Sequence, residues 1–288
     1  ISGWPFDASA AKQRQSACNR PAAIRVDLGK GAGLDMVLVP AGEFIMGEAG
    51  GEADESPETR VKISRPFYLG RVEITNAQYS QFDPRHDSGV ISVTNKDQTD
   101  RGIPVNGPTQ PVVRVSWHDA MRFCAWLSSQ TGRRFALPTE AQWEWACRAG
   151  TTTRLAYGGL DSDFGPWANL ADAALTGLAR GDSPPWHPKD ARFQDAAVVS
   201  TNVGSYRPNA WGLSDMHGNV AEWTRSSYRP YPYDPLDGRE EPNLGEPKAV
   251  RGGSWYDRPR QARSAARLPY PTWQCVYNVG FRVAMELD

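Results

Sequence analysis

The sequence is poor in the residues that usually build metal and redox centres. Its 288 residues include four cysteines and four histidines. Cys18, Cys124, Cys147 and Cys275 form no CxxC pair and no finger spacing, which speaks against a structural zinc site. No apolar run approaches the roughly 18 residues a membrane-spanning helix needs, so the chain is not expected to span a membrane. Neither sign of charge dominates. Lys+Arg is 32 and Asp+Glu is 33, a net charge of −1, so no global basic field exists to hold a nucleic-acid backbone. No internal repeat is visible. Ile1 in place of an initiator Met reads as a processed product or an excised fragment, with no signal peptide left to read.

Glycine, proline and aromatics are plentiful instead. Gly 27 and Pro 23 make about 17% of the chain, against about 12% in average usage. Such a bias usually signals disorder, but 11 Trp, 10 Tyr and 9 Phe oppose that reading, because disordered chains are aromatic-poor. The combination implies a loop-rich globule held by aromatic packing. A chain of this length buries roughly three quarters of its unfolded surface and needs no disulfide simply to fold. Four cysteines permit two disulfides in three connectivities. Cys124 and Cys147 fall on expected helices among apolar neighbours, where buried free thiols fit equally well.

Residues 1–22 read as a polar arm, helical from Ala8 to Ala17, and 23–288 as a single domain. Strands are expected at Ala23–Leu28, Leu34–Val39, Glu43–Met46, Arg60–Ser64, Phe67–Ile74, Val250–Tyr256 and Val279–Met285. Residues 47–58 carry five acidic side chains and three glycines, and a solvated loop is expected there rather than a cation site. Three helix starts are legible. Thr75 with Gln78, Ser116 with Asp119, and Thr139 with Gln142 each place a hydroxyl at the N-cap and an acceptor three residues on. Ala120, Phe123, Cys124 and Leu127 then form one apolar stripe at helical spacing. Gly132 and Gly150 stand where left-handed residues would end the second and third of these helices. Residues 151–250 read as turns, short strands and aromatics, with PPW at 184–186.

Seven motifs then carry a resemblance. MVLVPAGEFIMG (36–47), PFYLGRVEITNAQYSQF (66–82), PVVRVSWHDAMRFCAWLS (111–128), RRFALPTEAQWEWACRAG (133–150), NAWGLSDMHGNVAEWT (209–224), RGGSW (251–255) and NVGFRVA (278–284) resemble, in order, the formylglycine-generating enzyme or sulfatase-modifying factor family. The resemblance implies an α+β fold, the C-type-lectin-like fold of that family, with low regular secondary structure. It also implies an extracytoplasmic (periplasmic or secreted) location and calcium as cofactor.

By that resemblance, one calcium would be held by Asp215, Gly218, Val220 and Glu222, with hard oxygen donors converging in a glycine-containing turn. A tight turn with Glu222 salt-bridged is the plainer alternative. A second site would use Asn169, Leu170, Asp190 and Phe193, with the Asp190 register open by one residue. Active members bind copper(I) through two cysteines shortly after RGGS, since copper(I) prefers sulfur. Here Asp257 stands at the first position and no cysteine follows until Cys275, so copper is not expected and no catalytic residue is assigned. The positions of Cys124 and Cys147 resemble cysteines that, in some members, bond to the C-terminal segment. Ser264 and Val283 stand at the matching places.

His118 and His217 lack HxH or HxxxH spacing and read as ordinary helix-start or hydrogen-bonded surface histidines. Trp255, Tyr256, Asp257, Arg258, Arg260, Tyr270, Trp273 and Tyr277 line what is the substrate-facing groove in the family, and they are the residue types that anchor interfaces. The alternative is that these aromatics are core. The expected function is a calcium-stabilised binding or interaction module for a protein or peptide partner, or a subunit of a larger assembly. The competing class is an oxidoreductase: a divergent one maturing a peptide or metabolite, as implied by pair-lacking members linked to pyoverdine maturation, or a formylglycine generator after all.

Overall fold

A computed structural model describes residues 3–29, 31–92, 102–178, 189–241 and 245–287. The PPW segment at 184–186 lies outside the described residues. Helix α1 (Ala8–Ala17) starts on Asp7, whose carboxylate accepts the Ala10 N–H at 2.8 Å. It docks on the rest of the chain. Ala11 is buried, and Gln15 Nε2 donates to the carbonyls of Leu38 (2.8 Å) and Trp211 (3.1 Å). Phe6 meets Trp145 edge-on at 5.7 Å.

Helices α2 (Asn76–Tyr79), α3 (Trp117–Thr131) and α4 (Glu140–Arg148) begin at the three expected caps, each with a reciprocal capping box. These signals were readable because both bonds close within one turn. Gly132 ends α3 at φ 66°, as expected. At the end of α4 the left-handed cap is Ala149 (φ 45°), and Gly150 follows at φ 101°. Gly150 answers a different need: a Cβ there would lie 2.4 Å from the Phe6 ring.

The strands are β1 (Ala23–Gly29), β2 (Ala32–Val39), β3 (Gly42–Met46), β4 (Thr59–Ile63), β5 (Phe67–Gly70), β6 (Val90–Ile91), β7 (Ile103–Pro104), β8 (Phe135–Ala136), β9 (Ala221–Ser227), β10 (Lys248–Arg251), β11 (Arg267–Tyr270), β12 (Val279–Gly280) and β13 (Ala284–Glu286). A five-stranded antiparallel sheet runs β1-β2-β5-β13-β8. A second sheet runs β11-β10-β9-β12, with β12 parallel to β9. Pairs β3–β4 and β6–β7 complete the set. The α3 stripe of Phe123, Cys124 and Leu127 packs with Leu38, Trp223 and Phe281 in one core cluster. Trp143, Trp145 and Trp211 centre another.

Differences from the sequence expectations have local causes. The strand expected over Val250–Tyr256 stops at Arg251, because Gly252 (φ 94°) and Gly253 (φ 64°) turn the chain. The one expected at Val279–Met285 splits into β12 and β13. Strand β9 had no legible alternation, since it is buried on both faces by a largely polar sequence. The acidic stretch 47–58 is not simply a wet loop. Glu55 is 1% exposed and takes both Arg263 terminal nitrogens, at 2.5 and 2.7 Å. Arginines more than 200 residues away draw it inward.

Candidate functional site

The 215–222 loop is shaped by close backbone approach. Gly218 has φ 79°, and a Cβ there would sit 2.1 Å from the Asn169 carbonyl oxygen. That carbonyl accepts the Asn219 N–H at 2.9 Å, while Gly218 N–H donates to Gly252 at 2.9 Å. Parts of the two candidate calcium groups, separated in sequence, are therefore adjacent: Asn169 and Leu170 lie against Gly218.

Glu222, on β9, is fully buried and fully engaged. Its Oε1 accepts from Arg282 Nε (2.9 Å) and Nη2 (2.6 Å), and its Oε2 from Arg282 Nε (2.7 Å) and Trp143 Nε1 (2.8 Å). A carboxylate offers about four acceptor positions, so little is left for a cation. Asp215 differs. Its Oδ2 accepts the Gly204 N–H at 2.6 Å, but its buried Oδ1 has no partner among the described residues. Burial pushes this carboxyl up to about 6. Facing it is Glu73, 0% exposed, which the sequence reading did not single out. Glu73 Oε1 accepts from Asn219 Nδ2 at 2.9 Å, and its buried Oε2 is unpartnered. Burial first, and then the Asp215 charge, hold its carboxyl well above the usual range. Asp215 thus has an oxygen that fits a hard cation and Glu222 has none. Among the described residues no three His, Cys, Asp or Glu side chains form a metal cluster.

In the second group, Asn169 Nδ2 donates to Val199 O (2.9 Å) and Asn219 Oδ1 (3.2 Å), leaving its own buried Oδ1 unpartnered. Asp190 is not turned toward it. Its carboxylate is gripped by Arg192 Nε (2.9 Å) and Nη2 (2.7 Å). Phe193 packs edge-on against Phe164 at 5.6 Å. The carboxylate that reaches this group is Asp195, whose Oδ2 accepts the Leu170 N–H at 2.7 Å. Both aspartates lie in one KDARFQD run, and nothing local distinguishes them.

The 255–277 segment divides. Trp255 is 2% exposed and packs edge-on with Tyr256 (5.3 Å) and Tyr277 (6.0 Å), so it is core. Tyr270 meets Trp223 edge-on at 6.0 Å. Arg258 is exposed, Arg260 is exposed and pairs with Glu52 at 2.7 Å, and Trp273 is 72% exposed. Asp257 Oδ2 accepts the Ser254 N–H (2.9 Å) and hydroxyl (2.7 Å), a local turn.

All four cysteines are free. Cys147 is buried with Sγ 3.5 Å from His217 Nε2 and 3.6 Å from Ser264 Oγ, and burial pushes its thiol up to about 12. His217 is buried rather than at the surface. Its Nδ1 lies 2.7 Å from the Ala262 carbonyl and its Nε2 accepts the Ala156 N–H at 3.0 Å, so backbone occupies both nitrogens. Exposed Cys275 has its thiol raised by partial burial and by Asp119, the reverse of an activated nucleophile.

Short strands, few helices and a buried, glycine-turned polar centre define an α+β domain of the formylglycine-generating-enzyme-like fold. The chain belongs to the sulfatase-modifying factor family: a sulfatase-modifying factor enzyme 1-like domain matches residues 28–287. It is 32% identical to the formylglycine-generating enzyme of Streptomyces coelicolor, over 88% of this chain and 89% of that one. It is 29% identical to the inactive C-alpha-formylglycine-generating enzyme 2 of Mus musculus, over 90% of this chain and 88% of that one. The solved structure of PvdO from Pseudomonas aeruginosa matches with TM-score 0.73 and 29% identity, covering 93% of this chain and all of PvdO. Among the described residues no helix is long and apolar enough to cross a membrane.

Proposed function

We propose that residues 23–288 form one formylglycine-generating-enzyme-like domain, preceded by the 1–22 arm, that works without copper–cysteine chemistry. In this reading it is a calcium-stabilised, extracytoplasmic interaction module. Its binding face uses the exposed part of 255–277, namely Arg258, Arg260 and Trp273, toward a protein or peptide partner or a larger assembly.

The observation that carries the reading is Asp257. It stands where the resemblance would put the first copper ligand, it is a hard carboxylate tied into a turn by Ser254, and no thiol occurs between Arg251 and Gln274. Soft copper(I) has no suitable donor in such a segment. Among the relatives is one whose own name marks it inactive. The calcium part is supported by the unpartnered Asp215 Oδ1 and Asn169 Oδ1.

Anaerobic copper(I) titration is expected to show no tight one-to-one site, and a tight site would restore the generator reading. Oxygen consumption with peptide and phenolic substrates is expected to stay at background. Turnover abolished by Asp257→Ala would establish an oxidase instead.

A further inference from the structure

Strand β4 is bonded on one side only. It pairs with β3 in a two-stranded sheet, from Gly42↔Ile63 to Met46↔Thr59. Among the described residues, no hydrogen bond outside that ladder reaches the backbone of residues 60–65. Strand β8, at the edge of the five-stranded sheet, is treated differently. There the Ser128 hydroxyl accepts the Phe135 N–H at 2.9 Å and donates to the Phe135 carbonyl at 3.3 Å. A bare edge is a template for another strand, and two strands alone are marginal where three are stable.

A cavity of about 350 Å³ lies beside β4, lined by the unbroken run 61–67. Side chains along a strand alternate between its faces, so a cavity over one face would touch every second residue. An unbroken run places the cavity along the bonding edge. Val61 and Ile63 are buried, while Lys62 and Ser64 are exposed. Across the cavity stand Arg134, Gln142, Tyr233 and Leu287.

The charge along this edge is mostly positive. Lys62 and Arg65 are exposed, and neither forms an ion pair among the described residues. Glu43, opposite Lys62 in the ladder, is taken by Arg60. Arg134 lies 3.6 Å from Glu286, which Arg225 also approaches at 3.8 Å. Glu240, the other carboxyl on the wall, accepts from Ser226 and Tyr233. A second copy of β4 pairing antiparallel about Ile63 and Ser64 would set Lys62 opposite Arg65, and like charges opposite one another are destabilising. A strand bearing carboxylates would meet the same side chains as opposite charges.

We infer that the outer edge of β4 takes up an extended acidic peptide as a third strand. Its main chain pairs with residues 60–65, its apolar side chains lie on the face of Val61 and Ile63, and its carboxylates lie on the face of Lys62, with Arg65 at the strand's end. Main-chain bonds supply the affinity in such additions, and the alternating side chains supply the choice of partner. No residue of 255–277 lines this cavity, so the inference does not rest on the binding face proposed above.

The experiment is a fluorescence-anisotropy titration of the full chain with a fluorescein-labelled octapeptide of alternating glutamate and valine. Three further probes accompany it: the same peptide with lysine in place of glutamate, and two forms N-methylated on alternate amides, one in each register. The acidic peptide is expected to bind saturably and the lysine peptide at least about tenfold more weakly. Only one edge of an added strand bonds to β4, so one methylated form should lose binding while the other keeps it. Lys62→Glu/Arg65→Glu, at two exposed positions, should keep the wild-type Tm, weaken the acidic peptide at least about tenfold and favour the lysine peptide. Trp273→Ala should leave the affinity unchanged. No saturable binding by wild type would overturn the inference, as would equal affinity for both methylated forms, which marks charge attraction without strand pairing. Loss of binding in Trp273→Ala would move the peptide to the other face. A dimer in sedimentation equilibrium that the acidic peptide dissociates would give the edge to a second copy and overturn the assignment to a separate peptide.

Discussion

Cys147 Sγ lies 3.6 Å from Ser264 Oγ, both side chains buried, across 117 residues of sequence. The thiol and the hydroxyl meet where the family resemblance would set a disulfide. In the variant Ser264→Cys, the introduced thiol is therefore expected to oxidise to a disulfide with Cys147. Closing so long a loop typically stabilises by about 2–4 kcal/mol. The check is a two-hydrogen loss in the intact mass and a Tm rise that dithiothreitol removes. A Tm indifferent to dithiothreitol would exclude the bond.

Arg251 is 0% exposed, contacts Glu144, and donates to the carbonyls of Ala265 and Ser264, each at 2.8 Å. Removing one partner of a buried network strands the others. Arg251→Met is expected to cost about 3–5 kcal/mol. The pair Arg25–Asp35 has a similar 2.8 Å separation, but its side chains are 63% and 49% exposed. Asp35→Asn should cost at most about 1 kcal/mol. Urea denaturation distinguishes the two, and equal effects would contradict the role of burial.

Glu240 accepts from Ser226 Oγ and from Tyr233 Oη at 2.8 Å, and burial raises its carboxyl above the ordinary value. A carboxyl raised on folding contributes stability below its unfolded pKa and loses it as pH rises through the folded one. Glu240→Gln removes that loss. The stability difference between variant and wild type should move in the variant's favour as pH climbs above about 4.3. Denaturation midpoints across pH 4 to 8 test this, and parallel profiles would refute it.

Thiol accessibility should follow burial. In the native protein Cys275 is expected to react with Ellman's reagent first, because it is exposed, while Cys124 and Cys147 stay silent until unfolding. Fast reaction at either buried thiol would mean that the core around α3 or α4 opens in the native state.

What was legible was local. The three capping boxes and the Gly132 stop each close within one helical turn, the α3 stripe spans about two, and all stand where expected. The site was legible only as a set of chain positions. Asp215 has an oxygen without a partner among the described residues, but Glu222 spends its acceptors on a guanidinium 60 residues away, and Asp190 is taken by Arg192 where Asp195 reaches Leu170. Glu73 stands inside the 66–82 motif, but its burial and its bond from Asn219, 146 residues away, come only with the fold.

The sequence by itself determined the family, the helix starts and the scarcity of metal-binding cysteine and histidine that the composition announced. These depend on residue identity, order and short-range hydrogen bonds. Which carboxylates are neutralised by arginine, and which are left with bare oxygens in the interior, was decided only by the tertiary structure. That choice is made by long-range pairing in a low-dielectric core, where each guanidinium satisfies a limited set of partners and the remaining charge must find a proton or a cation.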